Sequence, residues 1–308
     1  MTSCTPEISV VLPVFNAGDY LAPAIESILK QTLTNFEFII INDGSTDKSA
    51  SVIQGYADAD DRIVFIDRDN QGLVRTLNEG IEISKAPLIA RMDADDVSLP
   101  DRFARQYDFL MQHADVVCIG TRVRVIDGKS RYLIDNDAPM GHDKILLSAL
   151  QGVSPIIHPS AMVRKSALKA VGGYQEKNYP AEDLALWIDL SEVGKIENMD
   201  EVLLEYRIHD NSVSSSRHKL QIEKTYEICR HACEKRGLEL KMKTREGRPR
   251  KSRLSKYQLM VKHGWWAFSS NQWRTAASYS FDAIICIPYK VDAWRLLFCS
   301  FFRRRTDP

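Results

Sequence analysis

Short, almost wholly apolar runs alternate with stretches of helical periodicity along the first third of the chain. Ile8–Leu12, Phe36–Ile41, Ile63–Ile66 and Leu88–Ala90 have strand length, whereas Tyr20–Leu29, Ser49–Tyr56 and Leu73–Ile83 space their apolar residues as a helix does. This β-α-β alternation predicts the α/β class: a mostly parallel, Rossmann-like sheet with helices on both faces, whose ligands bind beyond the carboxyl ends of the strands. Chemistry is then expected in the loops Pro13-Val14-Phe15-Asn16, Asn42-Asp43-Gly44-Ser45-Thr46-Asp47, Asp69-Asn70-Gln71-Gly72 and Asp93-Ala94-Asp95-Asp96. Farther on, Val123–Ile126 and Tyr132–Ile134 flank Gly128-Lys129-Ser130 as a hairpin. Beyond Ser216 the pattern turns helical, over Lys219–Cys233, Tyr257–Phe268, Gln272–Ile285 and Asp292–Phe302, with a basic, exposed stretch at Lys241–Lys256.

Two nucleotide signatures are absent. No Gly-x-Gly-x-x-Gly follows the first strand, and Gly128-Lys129-Ser130 lacks the upstream glycine of a P-loop, which excludes an ordinary dinucleotide dehydrogenase or P-loop NTPase. In Asp93-Ala94-Asp95, two carboxylates on alternate residues at a strand end can face one crevice, as oxygen ligands for Mg²⁺ or Mn²⁺ carrying substrate phosphates. Acids here can equally cap a helix, and Asp96, ahead of Leu99-Pro100 and a helical pattern from Arg102, is open to that reading. Other residues also carry two readings. Asp43 sits in a turn-forming sequence in which Ser45 or Thr46 can cap the next helix. Arg75 suits a diphosphate or a surface ion pair. Asp183 opens the helical run Leu184–Leu190, where an acid complements the helix dipole whatever its chemistry, and Trp187 within that run fits either the core or the face of a sugar.

Composition adds a division. The 308 residues hold 41 Lys and Arg against 41 Asp and Glu, a formal charge of zero. Residues 1–216 hold 20 basic and 33 acidic residues, a net −13, and residues 217–308 hold 21 and 8, a net +13. That asymmetry predicts a domain over 1–216 and a basic, mainly helical extension over 217–308, a cation-dependent site next to a segment drawn to anionic surfaces. With 44% hydrophobic and 27% charged residues, disorder and disulfide scaffolds are excluded. Six cysteines with no Cys-x-x-Cys pair fit a reducing compartment, and Cys229, His231 and Cys233 lack the second ligand pair of a structural zinc site. The apolar stretch Ile8–Phe15 follows no basic region and contains Pro13, so a cytoplasmic location is expected. No uncharged run reaches the roughly 18 residues of a spanning helix. Trp294, Leu296, Leu297, Phe298, Phe301 and Phe302 ahead of Arg303-Arg304-Arg305 instead suit an interfacial helix on the anionic inner face of a cell membrane, with a packed helical hairpin as the alternative. No specific nucleic acid is expected, because no known motif accompanies the charge.

One ordered series goes further: Pro13-Val14-Phe15-Asn16, Asn42-Asp43-Gly44-Ser45-Thr46-Asp47, Asn70-Gln71-Gly72, Arg75, Leu77-Asn78-Glu79-Gly80-Ile81, Arg91-Met92-Asp93-Ala94-Asp95-Asp96, Gly172-Gly173-Tyr174, Glu182-Asp183 and Tyr206-Arg207-Ile208-His209. Over about residues 6–216 this closely resembles glycosyltransferase family 2. The resemblance implies the GT-A fold, a nucleotide-diphosphate sugar donor (typically UDP-linked) and inversion at the anomeric carbon. It implies donor contacts from Pro13, Phe15, Asn16, Asp43, Gly72, Arg75, Asp93 and Ala94, and a Mn²⁺ or Mg²⁺ held by Asp95 with Asp93 and His209. Asp183 would be the base that deprotonates a hydroxyl of a glycan or lipid-linked acceptor, with Glu182 orienting that acceptor. His158 and Trp187 would line the acceptor pocket. A nucleotidyltransferase on a related fold is disfavoured by the lack of a Gly-rich triphosphate loop. A silent sugar-nucleotide or nucleic-acid binder is disfavoured because both Asp95 and Asp183 are present.

Overall fold

A computed structural model describes residues 5–209, 218–242 and 252–302. Strands β1 (Ile8–Val14), β2 (Phe36–Asp43), β3 (Ile63–Arg68) and β4 (Leu88–Arg91) pair in parallel in the order β3-β2-β1-β4, with Ile8 opposite both Phe36 and Leu88. Every residue of β2, and all of β1 but Pro13, is buried. A parallel strand covered on both faces needs a continuous apolar run, which is what the sequence supplies. The crossovers are α1 (Leu21–Leu29), α2 (Ser49–Ala57) and α3 (Leu73–Ile83). The chain builds outward from β1 to β3 and then returns to the other side of β1. This places the switch in strand order, and the crevice it opens, at the carboxyl ends of β1 and β4.

The second half of the sheet is antiparallel. After β5 (Val97–Ser98) and α4 (Arg102–Gln112) come β6 (Val116–Asp127), β7 (Tyr132–Asp135), α5 (His142–Leu150), β8 (Met162–Arg164), α6 (Lys165–Ala170), α7 (Glu182–Leu190) and β9 (Lys195–Ile208). They extend the order to β3-β2-β1-β4-β8-β6-β9-β5, with β7 paired to β6. The sheet is therefore mixed, parallel only where β-α-β units wind it. The turn between β6 and β7 is closed by the Asp127 carboxylate, which accepts from the Lys129 and Arg131 amides at 2.9 Å each, so Gly128-Lys129-Ser130 serves as a turn.

Contacts group the chain into two units. The first comprises Met1–Val123, Asp137–Tyr206 and Lys219–Thr244, and the second Arg124–Asn136, Arg207–His218 and Arg245–Pro308. In the first, Val74, Leu77 and Ile81 of α3 pack with Val11, Ile89, Leu186 and Trp187. A helix over His218–Lys235, here α8, buries Cys229, Ala232 and Cys233 against Ala149 and Leu150 of α5 and Leu184 and Ile188 of α7. These cysteines are free thiols packed as small apolar groups.

The second unit joins the β6–β7 hairpin to α9 (Arg253–Ser269), α10 (Trp273–Cys286) and α11 (Val291–Phe302). Leu133, Ala267, Ala276, Tyr279 and Leu296 form its core. The Tyr279 hydroxyl donates to Asp127 at 2.8 Å, and the Arg131 guanidinium lies 4.6 Å from the Tyr279 ring centre. Of the basic stretch expected to be exposed, Arg253–Lys256 opens α9, and 243–251 lie outside the described residues, as do Arg303–Arg305. No described helix is long and apolar enough to cross a membrane.

Candidate active site

The crevice is walled by loops that hold one another. At the end of β1, Asn16 takes the left-handed conformation, φ +50°. Its Oδ1 accepts from the Thr46 amide at 2.8 Å, and its own amide donates to Ser45 Oγ at 2.9 Å. Ser45 and Thr46 thus join two loops and cap nothing, since α2 has no side-chain cap. Beside them Pro13 is half-buried, and Phe15 stands 56% exposed at the mouth.

Asp43, at the end of β2, is buried and clamps the loop before α3. It accepts from the Gln71 amide at 2.8 Å, from the Gly72 amide at 2.9 Å and from the Arg68 guanidinium. Gly44 (φ +72°) permits this, because a Cβ there would lie 2.6 Å from the Asn70 amide nitrogen. Arg68 escaped the sequence reading although it braces this wall, donating also to Glu79 at 2.8 Å and Thr76 at 2.9 Å. Its one signal is a charged residue closing an apolar strand. Arg75 is exposed on α3 and pairs with Glu176 at 2.7 Å, the surface ion pair of its two readings.

The other wall is electrostatic. Arg91, last residue of β4, is 5% exposed and pairs with Asp93. Ligand oxygens of Asp93, Asp95 and Asp96 lie within 4.8 Å of one another, with Ala94 half-buried between them. Burial pushes the Asp93 carboxyl above its ordinary range, the Arg91 charge opposes this, and the Asp95 and Asp183 charges add to it. Asp96 does not cap α4, whose N-cap is Asp101, but lies buried beneath the other two acids. Arg102, a second residue not foreseen, is fully buried behind this wall and donates to the Arg91 carbonyl at 2.9 Å. Burial and the Arg91 charge bring its guanidinium down to about 9, against the pull of Asp96.

Glu182 and Asp183 form the first turn of α7. Glu182 is 7% exposed, and its Oε2 is buried without a hydrogen-bond partner. Burial, then the Asp183 charge, pushes its carboxyl up to about 7. Asp183 is half-buried and likewise raised by burial, which the Leu184 amide and the Ser154 hydroxyl, 3.0 Å from Oδ2, partly offset.

His158 Nε2 lies 2.7 Å from the Tyr174 hydroxyl and meets the Trp187 ring edge-to-face at 5.8 Å. Burial and the Arg91 charge push its pKa well below the ordinary value, so the ring is neutral. Gly173 (φ +68°) brings Tyr174 into place: a Cβ there would strike Asn78 Oδ1 at 2.6 Å, the atom that accepts from the Tyr174 amide. Trp187 itself has no exposed surface, which corrects its placement among the acceptor contacts: a fully buried ring presents no face to a sugar and acts only as the wall behind His158. His209 follows β9 in the second unit and is half-buried.

This assembly is a carboxylate-rich crevice backed by two buried guanidiniums, Arg91 and Arg102, with a neutral imidazole and an oriented acid, fit for binding a cation-neutralised anion beside a proton acceptor. Comparison with known proteins agrees. Residues 9–172 match the model of Glycosyl transferase family 2. The O-antigen biosynthesis glycosyltransferase WbnJ of Escherichia coli is 35% identical over 213 residues, 68% of this chain and 82% of its own. Crystalline S. aureus TarS 1-349 in complex with UDP-GlcNAc superposes with a TM-score of 0.61 at 16% identity, over 97% of this chain and 92% of that one. This chain spans 53% of the chain in another TarS structure. The mannosyltransferase PcManGT from Pyrobaculum calidifontis, in complex with GDP-Man and Mn²⁺, gives 0.57 at 13% identity, over 99% of this chain and 88% of its own. The mixed sheet and its helices are the GT-A fold, followed by a helical C-terminal region.

The burial of Glu182 has a measurable sign. A folded carboxyl at about 7 against an ordinary 4.5 means that the folded chain holds this proton more tightly than the unfolded chain. Stability is therefore lost as pH rises through that window, and the loss is complete above it. In metal-free protein, Glu182→Gln should melt progressively higher than wild type as pH is raised from about 5 to about 8. A melting difference that stays flat across this range contradicts the assignment.

Proposed function

Because this chain belongs to glycosyl transferase family 2 and is a glycosyltransferase, we infer that it inverts a nucleotide-diphosphate sugar, in our reading a UDP-sugar, onto a hydroxyl of a glycan or lipid-linked acceptor in cell-surface polysaccharide synthesis. The observation that carries this reading is the Asp183 carboxylate. It is half-buried, raised in pKa, held by Ser154 through one oxygen, and within the electrostatic reach of Asp93.

In this mechanism Pro13, Phe15, Asn16 and the Asp43–Gly72 clamp receive base and ribose, Asp93 and Ala94 face ribose and sugar, and Arg75 leaves Glu176 for the diphosphate. Three clustered carboxylates, one raised in pKa by burial and a like charge, are a donor set that fits a hard divalent cation. Asp95 and Asp93 would hold Mn²⁺ or Mg²⁺, which when bound would offset the charge of the departing diphosphate. PcManGT, in complex with GDP-Man and Mn²⁺, is a solved relative in fold, and TarS 1-349 in complex with UDP-GlcNAc supports a UDP donor.

On the opposite face Asp183 removes the proton of the attacking hydroxyl, and its raised pKa makes it the stronger acceptor. The unpartnered Oε2 of Glu182 receives or donates a hydrogen bond to the acceptor, since near neutral pH that group exchanges its proton. Neutral His158, fixed by Tyr174 and backed by Trp187, lines the acceptor side without adding charge. One in-line displacement inverts the anomeric carbon.

The second unit supports the membrane reading. Phe281, Ile285, Tyr289, Val291, Trp294 and Phe298 are about half exposed or more, with Ile285 at 77% and Tyr289 at 80%, and Lys290 and Arg295 stand among them, a composition that suits an anionic interface.

Two outcomes test these readings. Asp183→Asn should bind UDP with Mn²⁺ as wild type does yet lose sugar transfer by about 10²–10⁴, the usual worth of a positioned base; undiminished transfer removes Asp183 from that role. The double variant Trp294→Ser/Phe298→Ser should bind phosphatidylglycerol vesicles more weakly than wild type in a sedimentation assay, and equal binding removes the membrane reading.

A further inference from the structure

A second concavity lies on the flank of α7 within the first unit. It encloses about 370 Å³, inside the roughly 300–1,000 Å³ range of small-molecule sites. Its floor is aliphatic, made by Ala185 and Ile188 of α7 and Ile228 and Ala232 of α8. Lys177, Asn178, Asp189 and His231 stand around that floor, and among the described residues none of these four side chains has a hydrogen-bond or ion-pair partner. At the far end Glu192 is occupied by Lys235 at 2.6 Å and Arg236 at 2.8 Å, which closes the pocket with a neutralised network.

The position of this pocket on α7 is what gives it meaning. Glu182 and Asp189 are seven residues apart in one helix, so they share a face to within about 20° and are separated by roughly 10 Å along the axis. The stripe that starts at Glu182 continues through Ala185 to Asp189 on the pocket floor. The connecting loop ties the two places together: Tyr174 bonds His158 in the crevice, the next residue, Gln175, lines the pocket, and Glu176 pairs with Arg75.

The geometry points to this pocket as a subsite for the acceptor glycan, holding a saccharide unit inward of the one that presents its hydroxyl to Asp183. The inference rests on the glycosyltransferase reading above and specifies the acceptor class: an oligosaccharide, not a lone sugar. The chemistry selects a hydroxyl-rich, uncharged ring. Its C–H face packs on the aliphatic floor, and its hydroxyls meet an amide, a carboxylate, an ammonium and an imidazole, which between them both donate and accept. A phosphate would meet the Asp189 carboxylate, and a lipid tail would strand four polar side chains without partners.

The test uses the intact chain with Mn²⁺ and UDP on an array of immobilised mono-, di- and longer bacterial-type saccharides, with calorimetric UDP binding measured in parallel on every variant. Wild type should retain at least one di- or longer saccharide and bind its terminal monosaccharide about tenfold more weakly. Ile228→Trp, which fills the floor, and Asp189→Ala, which removes an acceptor without adding bulk, should each weaken the longer saccharide about tenfold while UDP binding stays within about twofold. Retention indifferent to both variants, or no saccharide retained by a wild type that binds UDP, overturns the subsite. A wild type that does not bind UDP overturns the donor reading instead, so the two failures are distinct.

Discussion

A buried positive charge at the end of β4 organises the crevice. Arg91 is almost wholly removed from water, and an unpaired guanidinium there would be prohibitively unstable. Its neighbours answer that charge: it pairs with Asp93, and its field reaches Asp183, Glu182 and His158. The same field acts on opposite kinds of group in opposite ways. It restrains the rise of the carboxyl pKa values that burial drives up, and, added to burial, it holds the imidazole neutral. Arg102, fully buried and donating to the Arg91 carbonyl, fixes the strand end from which all of this is projected.

That arrangement makes a crevice with surplus negative charge in a place where water is scarce. Carboxylates so placed either keep protons or recruit a cation. On one side the ligand oxygens of Asp93, Asp95 and Asp96 cluster as a set that suits a divalent cation. On the other, burial raises the Glu182 and Asp183 carboxyls above their ordinary range. The opposite wall is held by hydrogen bonding: the Asp43 carboxylate accepts from the Gln71 and Gly72 amides and from Arg68.

What the sequence disclosed follows from how local each signal is. The strands β1 to β4 and their crossover helices were legible because doubly covered strands and amphipathic helices write their burial into a short window. The antiparallel half was not, since pairings such as Leu88 with Arg164 join residues far apart along the chain. Asp43, Asp93, Asp95 and Asp183 were legible as loop or helix-end acids, but the partners that set their behaviour were not. Arg68 reaches Asp43 across 25 residues, and Ser154 reaches Asp183 across 29. Trp187 shows the converse: its pattern allowed core or sugar contact, and only its complete burial decides. The division of charge after Ser216 and the division by contacts are different partitions, because α8, beyond Ser216, buries Cys229 and Cys233 in the first unit.

Burial and the Arg91 charge together set the protonation of the crevice, and the His158 ring reports that field directly. Nuclear magnetic resonance titration of His158 in the intact, metal-free chain should find the imidazole neutral well below its ordinary midpoint of 6.5, with the midpoint rising in Arg91→Gln. A wild-type midpoint at or above 6.5 that does not move in Arg91→Gln would contradict it.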